Sequence, residues 1–571
     1  MPGKRFSYGL KPCALCHFDI APGDEILIGT TLCYQRLKWN PEDPHVQLVL
    51  RNSIRISALR EARYPALGGF TCYHVGCLEV AGLEDGPQLI RFVDAMKYQR
   101  LPSLLQKVLR RRQLLTCLST ELSEHFALQG TNLPLELWHK VAAHLLPHYA
   151  AANARSLWRR TEPEVVRLTE EVWCKYLEFE GIRYVARLSN TPSDGCWELA
   201  YRPSGETIKY LFTRENHFGV MDLRFSAMPN LRQVEETPGI WWRRACITDA
   251  DVALRARSDG LKFRYFIGTP RDIVACNIPL PDGVRLANLA IPSPKKLPAY
   301  MSSLVFNQPS VTGYSVLWAD SVVTIYAHHG IEDWRCYQSA TTTGTWLHMP
   351  VDPGEVITEI WGRPGDVPRQ RGLGFKTNLG RIFFAGAYCA CFYRRPGLWS
   401  LLARPGQSRV FFGDSDSGIT LLAFEDPRPM GPNLPFSPPP PSVEPPVRCL
   451  GHHFYSNHCL TGLVRVTPCR AGDRPGLTGM LLHYSNGHRE SVGQVRLDCL
   501  CLPISLQDRT SWYLAFKAAA GGKFFYLAAI MATPPSPDSG FEKVVQLFFE
   551  GTLEWYWSSL DCHVLYNGTG W

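Results

Sequence analysis

Apolar positions along this chain change their period once, and the change divides it. From about residue 87 to 125 they recur every three or four residues, with Leu101, Leu104, Leu105, Val108 and Leu109 in one stripe, which predicts helix. Residues 133–146, LPLELWHKVAAHLL, continue the pattern, and Pro147 is expected to stop that helix. Two more helical stretches are predicted after it, AANARSLWRR and EPEVVRLTEEVWCKYLEFEG; the second would bury Val165, Leu168, Val172 and Tyr176 on one face. Beyond about residue 185 the period falls to two. KFRYFIG, YSVLWADSVVTIYA, RIFFAGAYCACFY, SRVFFG and ITLLAFE read as strands separated by Gly, Pro, Asp and Asn. Strand-like pieces, DEILIGTTL and HVQLVL, also precede residue 85.

The β region carries an interruption and an echo. Residues 426–447, DPRPMGPNLPFSPPPPSVEPPV, are held extended by proline and read as a linker or an excluded loop. Across that segment, at an ungapped offset of 107, Arg363, Gly365, Asp366, Gly372, Gly380 and Gly386 meet Arg470, Gly472, Asp473, Gly479, Gly487 and Gly493. Glycines at matching turn positions suggest two related β units, 186–425 and 448–571; chance likeness between Gly-rich strands is the plainer alternative.

The start of LPLELWHKVAAHLL follows from its chemistry. Asn132 can cap the helix, Pro134 is tolerated in the first turn, and Glu136 suits the positive end of the helix dipole. Leu137, Val141 and Leu145 then form one stripe, and Trp138, Ala142 and Leu146 the next. This apolar arc is wider than one neighbour needs, so Leu133, Pro134, Leu137 and Trp138 offer a docking edge.

Composition narrows the classes. A chain of 571 residues implies two to four domains, and 12% aromatic residues with 46 Gly and 44 Pro favour β-rich architecture. The net charge of +8 is too diffuse to argue for nucleic acid, and Arg110–Arg112 read as a solvated helix face. The first residues show no secretory apolar core, and the longest apolar run, FFYLAAIMA, is about half a membrane span. Nineteen scattered cysteines fit free thiols plus a metal site in a cytoplasmic or nuclear protein, where the Asn567 sequon carries no weight.

The metal candidate is specific. Cys13 and Cys16 form a CxxC and His74 and Cys77 an HxxC; two such pairs complete the tetrahedral Cys3His set that Zn2+ favours. No fourth position is left for water, so the site reads as structural; His17, Cys33 and Cys72 are spare candidates. A second cluster, Cys449, His452, His453, His458 and Cys459, lacks regular ligand spacing. FGDSDSG at 412–418 fails as a serine-protease motif because Asp416 stands where a glycine must shape the oxyanion hole, and no other catalytic motif appears.

LPLELWHKVAAHLL resembles the opening of an F-box, through Leu133, Pro134, Glu136, Leu137, Val141 and Leu145. With the CxxC…HxxC start and an aromatic β region containing ITEIWGR and MLLHYSNGHRESVGQVRLD, the layout resembles F-box-type proteins of filamentous fungi. The resemblance implies helices out to about residue 180, a Skp-type adaptor and cullin complex docked on residues 133–146, and a protein or glycan target on the β region. The repeated Arg-Gly-Asp-Gly units also slightly resemble jacalin-like lectin strands, with no binding loop matched. The expected fold class is multidomain α+β. Its parts are a small zinc-stabilised unit (1–85), a helical connector (86–130), an F-box-like helical module (131–185) and a large all-β region, whose topology as propeller, prism or sandwich stays open. The expected function is non-enzymatic substrate recruitment. The alternative is a lectin-like or protein-binding module on a structural helical stalk.

Overall fold

Helix and strand fall where the period of apolar positions requires them, with one large exception. The computed structural model describes residues 12–570 apart from internal segments, the longest being 44–70, 290–299, 388–398, 426–441 and 443–452. HVQLVL, Cys449, His452, Asn132 and nearly all of the proline-rich stretch therefore lie outside the described residues. Two compact units emerge, Met1–Leu231 with Pro238–Asp272, and Arg232–Thr237 with Ile273–Trp571. No helix among the described residues is long and apolar enough to cross a membrane.

The first unit begins with a sheet in which Glu25–Thr30 lies between Cys33–Lys38 and Thr71–His74. Four helices follow: α1 (Val75–Ala81), α2 (Pro87–Met96), α3 (Leu104–Ala127) and α4 (Leu135–Leu157). Ser103 caps α3, its hydroxyl accepting from the Gln106 amide while the Gln106 side chain accepts from the Ser103 amide. Pro147 does not end its helix. It sits inside α4, removing the amide that would bond the Ala143 carbonyl, and the helix continues because Ala150, Ala151 and Ala154 are buried beyond it.

The exception is EPEVVRLTEEVWCKYLEFEG, expected as helix and found as strands Glu164–Val166 and Val172–Phe179. Glu180 and Gly181 both have positive φ (50° and 72°), forming the two-residue turn that closes a hairpin, with Phe179 opposite Ile182. Val, Trp, Tyr and Phe fit a half-buried strand better than a helix, and the tertiary pairing overrides the spacing of three and four. The turn also claims an arginine: Arg110, read as solvated, is mostly buried and makes two 2.6 Å bonds to Glu180. The helical module expected over 131–185 therefore ends at Leu157 and gives way to strand at residue 164.

From residue 164 onward one topology recurs three times. In residues 164–267, Glu164–Val166 pairs with the late strand Leu254–Ser258, itself beside Phe263–Ile267. Two sheets lie between in sequence: Val172–Phe179 flanked by Ile182–Ser189 and Trp197–Tyr201, and Tyr210–Glu215 flanked by Val220–Ser226 and Trp241–Cys246. Their inner faces, including Val172, Leu188, Leu211, Val220 and Phe263, share one core. Residues 300–424 repeat the plan: Tyr300–Val305 pairs with Arg409–Gly413, and that with Leu421–Phe424. Residues 454–570 repeat it again: Phe454–Cys459 pairs with Thr552–Trp557, and that with Cys562–Tyr566. Each is a module of three groups of paired strands, closed by its own first strand.

The echo at offset 107 marks the same sheet in the last two modules. One has the order Ile382–Ala385, Gly372–Thr377, Ile357–Arg363, Ser400–Ala403; the other Arg489–Gly493, Gly479–Tyr484, Leu463–Cys469, Ile504–Ser505. Both are Greek keys, the fourth strand returning beside the first. Gly380 (φ 80°) and Gly487 (φ 85°) occupy the same tight turn. The remaining three-stranded sheet precedes the Greek key in one module (Gly313–Pro350) and follows it in the other (Ser511–Phe548), so their sheets occur in permuted order.

Candidate metal centre and docking helix

The CxxC occupies a tight turn fixed at both ends. His17 N–H donates to the Cys13 carbonyl (2.8 Å) and Cys13 N–H to the Phe18 carbonyl (3.0 Å). Ala14 N–H donates to Cys72 of the neighbouring strand (2.9 Å), which brings the turn beside His74, the last residue of that strand. Cys77 follows in the first turn of α1. The sequence-distant pairs are thus joined by one strand end and one helix start.

All four ligand atoms lie within 4.8 Å of one another and all four residues are buried. His74 Nδ1 is 3.4 Å from Cys16 Sγ and 3.7 Å from Cys77 Sγ, and the Cys13 sulfur is 3.3 Å from the His74 amide. Tetrahedral zinc with bonds of ~2.3 Å to sulfur and ~2.0 Å to nitrogen separates its ligands by roughly 3.5–3.8 Å, so this donor set is already at coordination spacing. The other histidine nitrogen, Nε2, is 3.3 Å from the Asp24 carboxylate, whose second role is to accept the Ala21 amide (2.7 Å). That carboxylate fixes the imidazole so that Nδ1 faces the thiols, as outer-shell partners of metal-bound histidines do.

The thiols' electrostatics fit the same reading. Burial opposes ionisation of Cys13, but hydrogen bonds from Cys16, Cys77 and His74 overcome it and pull its pKa well below the usual thiol range. Cys16 is pushed well up, by burial and by its bond to Cys13. Cys77 is pushed far up by its bonds to Cys13 and Cys16 and by burial. Three thiolates could share this space only with a cation, and a divalent metal would supply the missing charge. The four residues could hold a metal ion, and no other such cluster of His, Cys, Asp or Glu occurs among the described residues.

Helix α4 backs the centre. Cys77 Sγ is 3.5 Å from the Pro147 carbonyl, and a Cβ on Gly76 would lie 2.3 Å from His148 Nε2. Gly76, between the two HxxC ligands, leaves the room that the His148 ring of α4 occupies. The spare candidates are placed elsewhere. Cys72 belongs to a small core with Ile26, Ile28 and Trp39, and His17 packs its ring 4.0 Å from that of Tyr98. Of the second Cys/His cluster, His458 lies 3.6 Å from Glu490 and Cys459 is exposed beside Thr461; neither joins a metal group.

On α4 the two predicted stripes separate cleanly. Trp138, Ala142 and Leu146 are buried, and Trp138 stacks on Phe126 of α3 at 5.2 Å. Trp138 is thus withdrawn from the proposed docking edge, because the preceding helix uses its ring. Leu133, Leu137, Val141 and Leu145 are each 40–41% exposed, at spacings of four residues, and Pro134 and Glu136 are exposed beside them. Leu133 precedes the helix, and the helical part of the row, Leu137 to Leu145, runs roughly 12 Å along it. Sequence reasoning missed Asp24, the Pro147 carbonyl and Phe126; each lies on another element, and no local motif marks it.

No family description matches the chain, and no curated protein matches it. One solved structure that aligns with it is a lamprey immune protein, at 10% identity over 50% of this chain and 84% of that one, with a TM-score of 0.14. At that score the alignment carries no argument about fold or function.

Proposed function

We propose that this protein is a non-catalytic adaptor whose α4 row docks a Skp-type adaptor of a cullin-based ubiquitin ligase and whose three-sheet modules select a target. The observation that carries the reading is the exposed row Leu133, Leu137, Val141 and Leu145, uncovered among the described residues, on and just ahead of a helix preceded by Leu-Pro. Four apolar side chains at one spacing are what a helix offers to a groove. The metal is Zn2+, and its role is structural: the thiolate-rich donor set suits it, and it ties α1 to the strand and turn on which α4 rests. All the cysteines among the described residues are free thiols, which supports a reducing cytoplasmic or nuclear setting.

The test is capture of a purified Skp-type adaptor by the full chain, with and without Leu137→Glu plus Leu145→Glu. The intact chain should bind, and the double variant should lose at least tenfold in affinity with its melting temperature unchanged. A folded, intact chain that captures no adaptor overturns the reading.

A second reading is favoured by the recurrence of one closed strand order in three modules. Repeated β modules of this kind would act as a lectin-like or protein-binding surface, with α3 and α4 as a stalk. Binding of the full chain on a glycan array tests it.

A further inference from the structure

The second unit contains a cleft that adaptor docking leaves unused. Two hollows of about 250 and about 350 Å³ share Asn457, His458 and Glu490 among their lining residues. The first has an aromatic wall that includes Phe383, Phe384, Phe454 and Trp557. The second is rimmed by turn residues, among them Thr461, Tyr484, Ser485 and Asn486.

Charged groups in and behind the cleft pair with one another. Arg381 reaches Glu355 (2.6 Å) and Glu490 (2.8 Å). His488 sits between Glu490, at 2.9 Å, and Asp352. Among the described lining residues the one arginine is held by two carboxylates, which leaves no cation for a phosphate or a free carboxylate, so the cleft suits a neutral ligand.

Hydrogen-bonding capacity, in contrast, is left over. Ser456 Oγ, His458 Nε2 and Trp557 Nε1 are shut off from solvent with no hydrogen-bond partner among the described residues. Phe454 opposes Trp557 across the strand pair, so residues 454, 456 and 458 alternate onto the same face as Trp557. The three groups differ in chemistry. The indole only donates, and the serine does both. Burial keeps His458 neutral, and it hydrogen-bonds the Ser491 backbone; with Nε2 unpartnered that bond runs through Nδ1, leaving Nε2 an acceptor.

We propose that this cleft binds one residue of a neutral saccharide. The C–H face of the ring packs on the aromatic wall, as apolar faces do on aromatic side chains. Its hydroxyls, each donor and acceptor, meet Asn486. After a rotamer change at Ser456 and a small ring shift at His458, they also complete the unmet serine and imidazole. The proposal rests on the lectin-like reading and gives it a place and a ligand class; it is independent of the adaptor reading.

Saturation-transfer NMR on the full chain, with a panel of methyl hexopyranosides and methyl N-acetylhexosaminides, tests it, with sodium phosphate as the ionic competitor. At least one glycoside should bind. Ser456→Ala and His458→Gln should each weaken it at least tenfold while the chain stays folded. Asn486→Ala, in an exposed turn, should weaken it several-fold and serves if either strand variant fails to fold. Binding unchanged in the folded variants places the sugar elsewhere: the cleft assignment falls while the lectin-like reading stands. Absence of any glycoside binding overturns both, and displacement by phosphate shows an anion site and overturns the saccharide assignment.

Discussion

The two units are held together by different means. In the first, the turn, strand end and helix start around Cys13, Cys16, His74 and Cys77 meet at a donor set that needs a cation, and the helices stack on that joint through Gly76 and Leu146. In the second, one apolar core runs through both three-sheet modules, from Val316 and Phe375 to Trp512 and Trp555. With the proposed Zn2+ in that set, the part of the first unit around it would depend on a ligand and the second unit on area removed from water, so they should fail under different conditions.

Metal removal should produce the largest contrast. Structural zinc sites contribute apparent binding energies of about 10–16 kcal/mol, comparable to or larger than the stability of a domain. Chelation, or Cys77→Ser, should abolish the calorimetric transition of the first unit and leave that of the second in place. A metal-free chain that keeps both transitions would break the comparison. Next in size is a core truncation: Trp512 is fully buried, and Trp512→Ala should cost about 3–5 kcal/mol. That loss should lower only the second unit's transition in the same scan.

The smallest contrast is in pH, where the two units should respond with opposite sign. Lys262 is fully buried in the first unit, donating to the Ala95 carbonyl, and burial pushes its pKa down to about 7. Between about pH 7 and 10.4 the unfolded chain holds a proton there that the folded chain does not. The first unit should therefore gain stability as pH rises through that window, by at most about 1.4 kcal/mol per unit. In the second unit, hydrogen bonding to Glu490, opposed by burial and assisted by Asp352, raises His488 above its usual value. That contribution is fully present below about pH 6.5 and is lost as pH rises through the raised value. Denaturation curves at several pH values should show both slopes, with Lys262→Met flattening one and His488→Asn the other. Slopes of the same sign would remove the contrast.

What the sequence made legible was local. The Cys/His quartet could be read because each pair of its residues is three apart, and the kinship of two β units because Gly380 and Gly487 mark equivalent turns. The first three-sheet module stayed hidden. Val165, Leu168, Val172 and Tyr176 fit a helical stripe as well as they fit two strands, and Glu180–Gly181 was not recognised as a hairpin turn. Trp138 was misassigned for a related reason: periodicity shows that a residue is apolar on a given face but not that Phe126, on another helix, already covers it. Asp24 depends on a sheet and a turn meeting in space, which no spacing rule encodes.

The closing strand of each module also sets a timetable for synthesis. Phe454–Cys459 is made early, yet its ladder partner is Thr552–Trp557. Until the ribosome has released those residues, the earlier strand waits with an open edge, beside an apolar face that includes Phe454. The same delay separates Tyr300–Val305 from Arg409–Gly413 and Glu164–Val166 from Leu254–Ser258. A nascent chain of this protein therefore carries successive unzipped modules, each sealed only when its last sheet emerges, and these intervals are when chaperones, or another copy of the chain, can intervene.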